Sequence, residues 1–277
     1  MKKMIKSLLT VIVNWMINTK SGKSLFEYVF NIVRESITPI KHKNFEFKIT
    51  TPNQLCDFRA QTFSTKEPET LEWIDSLLEN SVLWDIGANV GLYSIYAAKI
   101  RNCKVFSFEP SIFNLELLAR NIFINNLTEK VTIIPLPLND KLGISKLQLT
   151  TSELGGALST FDHNIGYDGK KIQKVFEFSV MGITIDYAKA KLDLPQPDYI
   201  KMDVDGIEHF ILSGGIEVLT SVKGVIIEVN DDYKEQADNC YKLLSSAGLT
   251  LQNKKHSDLF EGEDSLFKNC FNQIWIR

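Results

Sequence analysis

From about residue 45 onward, short apolar runs alternate with amphipathic stretches, the pattern of repeated strand and helix units. Phe45–Ile49 alternates like a strand, and Glu69–Leu78 repeats at helical spacing. Ser81–Asp85 predicts a strand, followed by a glycine-containing turn and a helix through Ile100. Lys104–Phe108 predicts the next strand, Ile112–Asn125 a helix, and Val131–Ile134 a third strand. Residues 141–180 break the rhythm. Alternating runs at Ile144–Leu149 and Val175–Val180 flank a polar stretch from Leu154 to Gly169, which predicts an inserted hairpin whose loop can form a lid or substrate wall. The alternation resumes with a strand over Tyr199–Val204, a helix over Glu208–Leu219, a strand over Gly224–Val229 and a helix over Gln236–Ala247 closed by Gly248. Leu249–Gln252 and Cys270–Ile276 supply the last two strands.

Residue 81 to the end thus carries strand segments for a doubly wound α/β sheet, with no repeat and no linker. This places one domain over residues 51–277 with an insertion at 141–180, and a helical N-terminal extension plus a first strand over residues 1–50. In that extension Ile5, Leu8, Leu9, Ile12 and Met16 recur at helical spacing, among Lys2, Lys3, Lys6, Lys20 and Lys23 and no acid up to residue 25. The apolar run is too short to span a bilayer, and no small-residue cleavage site follows it. A helix docked on the domain or on a second subunit is expected, the latter making a homodimer; the alternative is a basic amphipathic helix at residues 1–20 resting on an anionic membrane.

Composition changes this picture little. An apolar fraction of 44% and a charged fraction of 23% describe an ordinary globular chain. The net charge of -3 gives no ground for a nucleic-acid partner. Cys56, Cys103, Cys240 and Cys270 share no close spacing, so they are expected as buried thiols of a cytoplasmic protein, soluble or peripheral at the inner face of the membrane, not as a metal site or a disulfide framework.

The sharpest local signal is Trp84-Asp85-Ile86-Gly87-Ala88-Asn89-Val90-Gly91, set between a strand and a helix. Gly87 and Gly91 permit a tight turn and close approach of backbone to a ligand. A dinucleotide fingerprint would carry Gly-x-Gly-x-x-Gly and no acid facing a pyrophosphate. The acid here, Asp85, suits a cationic cofactor such as S-adenosylmethionine. The following strand ends Phe108-Glu109-Pro110, placing a carboxylate where it can accept hydrogen bonds from both ribose hydroxyls. Phe108 or Leu138 offers an apolar face for adenine, and Asn139 follows the third strand where the loop approaches the adenine edge.

A second acidic cluster, Asp198-Tyr199-Ile200-Lys201-Met202-Asp203-Val204-Asp205-Gly206-Ile207-Glu208, closes a later strand. Strand alternation puts Lys201 and Asp203 on one side, at the carboxyl end where ligands of open α/β sheets bind. Asp203 can serve as the base for an acceptor hydroxyl, Lys201 can orient it, and Glu208, which also suits a helix N-terminus, is a third candidate. The Asp203-Val204-Asp205 pair also fits a metal-dependent glycosyltransferase, which would leave the Asp85–Gly91 loop without a role. No His or Cys nearby in sequence completes a metal site, so none is expected. His163, His209 and His256 are expected as surface histidines.

With these motifs the sequence resembles the FkbM family of methyltransferases over roughly residues 60–230. The matching residues are Asp85 to Gly91, Phe108 to Pro110 with Asn114, Thr184 and Asp186, and Asp198, Lys201, Asp203, Gly206 and Glu208. Lys66 to Thr70 resembles the family's lead-in to the first strand, which makes Glu67 a cofactor-side candidate, and Gly156 to Ser159 resembles its small-residue loop. Asp205 stands where many relatives carry Glu. The resemblance implies a class I Rossmann-like fold with a reversed final hairpin, S-adenosylmethionine as cofactor, and O-methylation of a sugar, glycan, lipid-linked glycan or natural-product hydroxyl. A methyltransferase fold kept as a non-catalytic scaffold is the other alternative, and the intact Asp85, Gly87, Gly91 and Glu109 weigh against it.

Overall fold

The computed structural model describes residues 2–256, 265 and 267–277, with side chains from residue 5. Its central sheet, among the described residues, has seven strands: β3 (Val82–Ile86), β4 (Lys104–Phe108), β5 (Val131–Ile134), β9 (Tyr199–Met202), β10 (Gly224–Asn230), β11 (Thr250–Lys255) and β12 (Cys270–Ile276). They lie in the order β11-β12-β10-β9-β3-β4-β5. Pairing is parallel from β5 through β10, and β12 runs antiparallel to both of its neighbours. This is the class I methyltransferase sheet with its reversed final hairpin. Order and direction bring the carboxyl ends of β3, β4, β9 and β10 to one edge.

The inner strands read as continuous apolar runs because both faces are covered. One face packs on α5 (Pro68–Ser76), α6 (Leu92–Ile100) and α7 (Ile112–Ile124), through Leu71, Ile74, Ile95, Tyr96, Leu118 and Ile122. An antiparallel hairpin of β1 (Ile37–His42) and β2 (Phe45–Thr50) closes that side with buried Phe47 and Ile49. Two asparagines of α7 hold β2 in place: Thr50 N–H donates to Asn121 Oδ1 at 2.7 Å, and Lys48 N–H to Asn125 Oδ1 at 3.0 Å.

The opposite face packs on α9 (Glu208–Ser213), α10 (Ile216–Leu219), α11 (Lys234–Ser246) and α8 (Ile185–Lys191). The insertion forms a small antiparallel sheet here, β7 (Thr160–Phe161), β6 (Gly143–Leu149) and β8 (Phe176–Gly182), burying Leu147, Leu149 and Phe161. The helix expected over Glu208–Leu219 is two helices. They break at Gly214-Gly215, where a Cβ on Gly214 would stand 2.4 Å from the Asn139 carbonyl oxygen and one on Gly215 2.9 Å from Ile185. Thr184 and Asp186 are caps: the Thr184 hydroxyl accepts from Tyr187 N–H, and the Asp186 carboxylate takes the Glu217 and Val218 N–H groups that open α10. Asp198 likewise ties β9 to β3 by accepting Val82 N–H at 2.8 Å.

At the other end of the chain, α1 (Lys2–Asn18), α2 (Lys20–Arg34) and the β1–β2 hairpin occupy residues 2–50. The expectation that the N-terminal helix docks on the domain is not met. Leu8, Trp15, Tyr28 and Phe30 are 53–67% exposed, and the arm is fastened at its base by the Arg34–Glu116 ion pair. The four cysteines are buried free thiols.

His209 corrects another expectation. It is 4% exposed, sits between Phe210 and Tyr233, and neither ring nitrogen has a hydrogen-bond partner among the described residues. Burial, with His163 nearby, lowers its pKa to about 4. Between about pH 6.5 and pH 4 the unfolded chain therefore binds a proton that the folded chain refuses, and stability falls as pH drops through that window. Relative to wild type, His209→Leu is expected to gain on the order of 2 kcal/mol between pH 7 and pH 5 in urea denaturation. A wild-type to variant difference that stays constant with pH would contradict a buried neutral imidazole.

Candidate active site

The loop after β3 is shaped by contact with its neighbours. Gly87 and Ala88 N–H both donate to the Phe108 carbonyl at 3.0 Å, tying the loop to the end of β4. Gly87 has φ +81°, and a Cβ there would lie 1.9 Å from the Asp203 carbonyl oxygen. Only glycine lets the ends of β3 and β9 meet. Gly91 (φ +87°) opens α6 against Leu118. The turn carries Asn89 N–H onto Glu109 Oε2 at 2.8 Å, while Glu109 Oε1 accepts Ser111 N–H at 2.8 Å. Burial pushes the Glu109 carboxyl up to about 7, against the pull of those two N–H groups.

Two cavities open at this edge. The first, of about 610 Å³, is lined by Gly87, Asn89, Phe108, Glu109, Pro110 and Leu138 together with Leu136 and Phe161. It joins an apolar slot to the buried carboxylate of Glu109. The second, about 1350 Å³ with its open mouth, carries the charged residues Arg59, Lys66, Glu67, Lys201, Asp203, Asp205 and Glu228 among apolar and aromatic ones that include Leu55, Phe58, Phe63, Leu92 and Tyr93. Gly87, Asn89, Ala157, Asp203 and Asp205 form the wall common to both.

Lys201, 3% exposed, is the hub of the second cavity. Its ammonium lies 3.4 Å from Asp85 Oδ1, 3.6 Å from Asp203 Oδ2 and 5.2 Å from the centre of the Tyr93 ring. Burial opposes its charge, but Asp85, Asp203 and Glu67 outweigh that and hold its pKa above the ordinary lysine value. Glu67 is paired with Lys66 Nζ at 2.5 Å and accepts the Tyr93 hydroxyl at 2.8 Å. Burial again opposes the charge, yet Lys66 draws the Glu67 carboxyl down to about 2. Asp203, Asp205 and Glu228 bring carboxylate oxygens within 4.8 Å of one another. Burial first and Asp203 second raise Asp205 to about 6 and Glu228 well above the carboxylate range.

The insertion loop is strapped over both cavities. The Gly156 carbonyl accepts from Asn89 Nδ2 at 2.8 Å and Asn114 Nδ2 at 3.1 Å, Arg59 donates twice to the Gly155 carbonyl, and Leu158 N–H donates to Asp205 Oδ2 at 2.7 Å. Arg59, Asn114 and Asp205 are thus lid-holding residues, and among these Arg59 has no local motif in the sequence.

Three sequence candidates stand elsewhere. Asp85 is fully buried, accepts from Ser94 Oγ at 2.5 Å, pairs with Lys201 and lines neither cavity among the described residues. It reaches the site through Lys201 alone. Asn139, 1% exposed, spends its side chain on Asp162 and His163 and also lies outside both cavities. Glu208, 1% exposed, accepts Val204 N–H at 3.1 Å, Gly206 N–H at 3.0 Å and the Gln236 amide, which makes it the peg that holds the Asp203–Gly206 turn. Burial raises its pKa to about 7.

Residues 85–268, about two thirds of the chain, match the Methyltransferase FkbM domain. The chain belongs to the FkbM methyltransferase family. The matched segment is a methyltransferase domain. Over 177 residues it is 29% identical to the hexuronic acid methyltransferase AglP of Haloferax volcanii, a match that covers 63% of this chain and 65% of AglP, just under two thirds of that protein's length. It is 24% identical to the methyltransferase sdnD of Sordaria araneosa, over 56% of this chain and 68% of sdnD. Among solved structures, precorrin-6y C5,15-methyltransferase from Geobacter metallireducens aligns at 16% identity with a TM-score of 0.43, covering 76% of this chain and 86% of that one.

Proposed function

We propose that this enzyme methylates a hydroxyl group on a sugar or glycan, with Asp203 as the base. The observation that carries this is the placement of Asp203: it lines both cavities, beside the buried ammonium of Lys201. The residues of the first cavity fit the adenosine half of S-adenosylmethionine. Phe108 and Leu138 supply apolar faces, and Glu109, which accepts from Asn89 N–H and Ser111 N–H and is approached by the Asn114 amide, offers its remaining lone pairs to the ribose hydroxyls. Gly87, Ala88 and Asn89 would border the methionine end, with Glu67 and Lys66 as the charges nearest its amino and carboxylate groups.

When bound, S-adenosylmethionine supplies an electrophilic methyl group whose departure leaves a neutral thioether. Asp203 accepts the proton of the acceptor hydroxyl as that oxygen forms its bond to the methyl carbon. Lys201 holds Asp203 in position, and Asp85 and Tyr93 hold Lys201. The charged residues of the second cavity can hydrogen-bond the hydroxyls of a saccharide while Phe58, Phe63 and Tyr93 offer it ring faces, and the hexuronic acid named for AglP is in keeping with that acceptor class. Transfer of a radiolabelled methyl group from S-adenosylmethionine to a panel of mono- and oligosaccharides, uronic acids included, is expected to give an alkali-stable ether on a saccharide hydroxyl. An alkali-labile methyl ester would move the acceptor atom to a carboxylate, and labelling confined to non-saccharide acceptors would overturn the reading.

A further inference from the structure

Helices α1 and α2 have no part in the catalytic edge, and their surface is unlike the rest of the molecule. At about 100° per residue, the apolar positions of α1 fill an arc of roughly 240°, unbroken by a polar residue over about 160°, while Lys6, Ser7, Thr10 and Asn14 take the opposite side. In α2 the apolar arc is roughly 200°, and Lys20, Lys23, Glu27 and Asn31 share the remainder. Neither apolar arc is covered. Leu8 is 62% exposed, Trp15 67%, Phe26 45% and Phe30 53%, and the rings of Phe26 and Phe30 stack with each other in the open. A monomer rarely leaves a continuous apolar surface of this kind uncovered, and such patches mark interaction sites.

Charge identifies the occupant. Residues 2–34 hold six cations and one acid, whereas the whole chain has a net charge of -3, so a basic arm projects from an acidic body. Arg34 is already neutralised by Glu116, which among the described side chains leaves Lys6, Lys20 and Lys23 for an anionic partner. Pairing these helices with their copies from a second chain would crowd like charges around the apolar seam. An anionic bilayer surface takes the apolar faces and the lysines together. Among the described residues no helix is long and apolar enough to cross a membrane, which limits the contact to the interface. We propose that α1 and α2 form an interfacial arm that lies in the headgroup region of an anionic membrane and holds the catalytic sheet at its surface. This does not depend on the identity of the acceptor.

The test is co-sedimentation of the full chain with phosphatidylcholine vesicles and with vesicles that also contain phosphatidylglycerol. The wild type is expected to pellet with the anionic vesicles and at least tenfold less with the neutral ones. The double substitution Phe26→Glu/Phe30→Glu is expected to abolish pelleting, and Lys20→Gln/Lys23→Gln to weaken it about fivefold per lysine. Retained binding of S-adenosylmethionine by both variants will show that the body is folded. A wild-type chain that stays in the supernatant, pelleting that survives Phe26→Glu/Phe30→Glu, or a vesicle-independent dimer that this substitution returns to monomer would each overturn the proposal, the last in favour of a second copy.

Discussion

Replacing Asp203 with asparagine is expected to lower kcat about 10²–10⁴-fold, the range associated with a positioned general base. The Kd for S-adenosylmethionine is expected to stay within about threefold, because the substitution removes an interaction made in the chemical step and not in cofactor binding. The amide is a close fit: its oxygen can still accept from Lys201, so the buried ammonium is not left without a partner. Removing Lys201 itself is a poorer experiment. Lys201→Met would strand Asp85, which is fully buried, and breaking a buried pair in this way costs about 3–5 kcal/mol of stability. Lys201→Arg keeps the charge and serves as the companion variant, expected to fold and to lose turnover through misplacement of Asp203. Full turnover by Asp203→Asn would remove Asp203 from the base role.

The second large effect is expected at Glu109. Two ribose hydroxyls donating to one carboxylate contribute about 1.5–3 kcal/mol each, so Glu109→Ala is expected to raise the S-adenosylmethionine Kd by about 10²–10⁴-fold in calorimetric titration. Part of that loss comes from the loop, since Asn89 N–H and Ser111 N–H lose their acceptor together. Glu109→Gln keeps one acceptor oxygen and should fall between. The pH dependence follows with a definite sign. With its pKa pushed up to about 7, Glu109 is protonated on the acid side and ionised on the basic side, and only the ionised form accepts from both hydroxyls. Wild-type binding is therefore expected to tighten as pH rises from about 6 to about 8, and Glu109→Gln to lose that slope. An unchanged Kd in Glu109→Ala would place the ribose elsewhere.

Much of this site was readable along the chain because its parts are local. The β3 loop with Gly87, the acid at Glu109 one strand later, and the Lys201-x-Asp203 alternation are each set by a few neighbouring residues. The parallel sheet that orders them leaves continuous apolar runs wherever strands are covered on both faces. What was not readable is the packing of residues whose sequence neighbourhood says nothing of their tertiary neighbours. Asp85 stands beside a glycine loop as a ligand would, yet Ser94 and Lys201 consume it. Asn139 stands at a strand end, yet the insertion, through Asp162 and His163, claims its amide. His209 looks like a surface residue in a polar stretch and is sealed in by Phe210 and Tyr233. The break at Gly214-Gly215 is invisible to helical periodicity, because its cause is the approach of Asn139 and Ile185 from other elements.

The sequence by itself determined the sheet elements, the family motifs at the strand ends and the basic, amphipathic character of the N-terminal segment, since each depends on periodicity or on residues a few positions apart. Only the tertiary structure decided which acids face the cavities and which are buried partners, that Lys66, Tyr93 and Arg59 join the site from separate helices, that the insertion loop is fastened across it, and that the N-terminal helices stand uncovered. Those outcomes depend on which distant segments are packed together, and packing between distant segments leaves no periodic trace in a single chain.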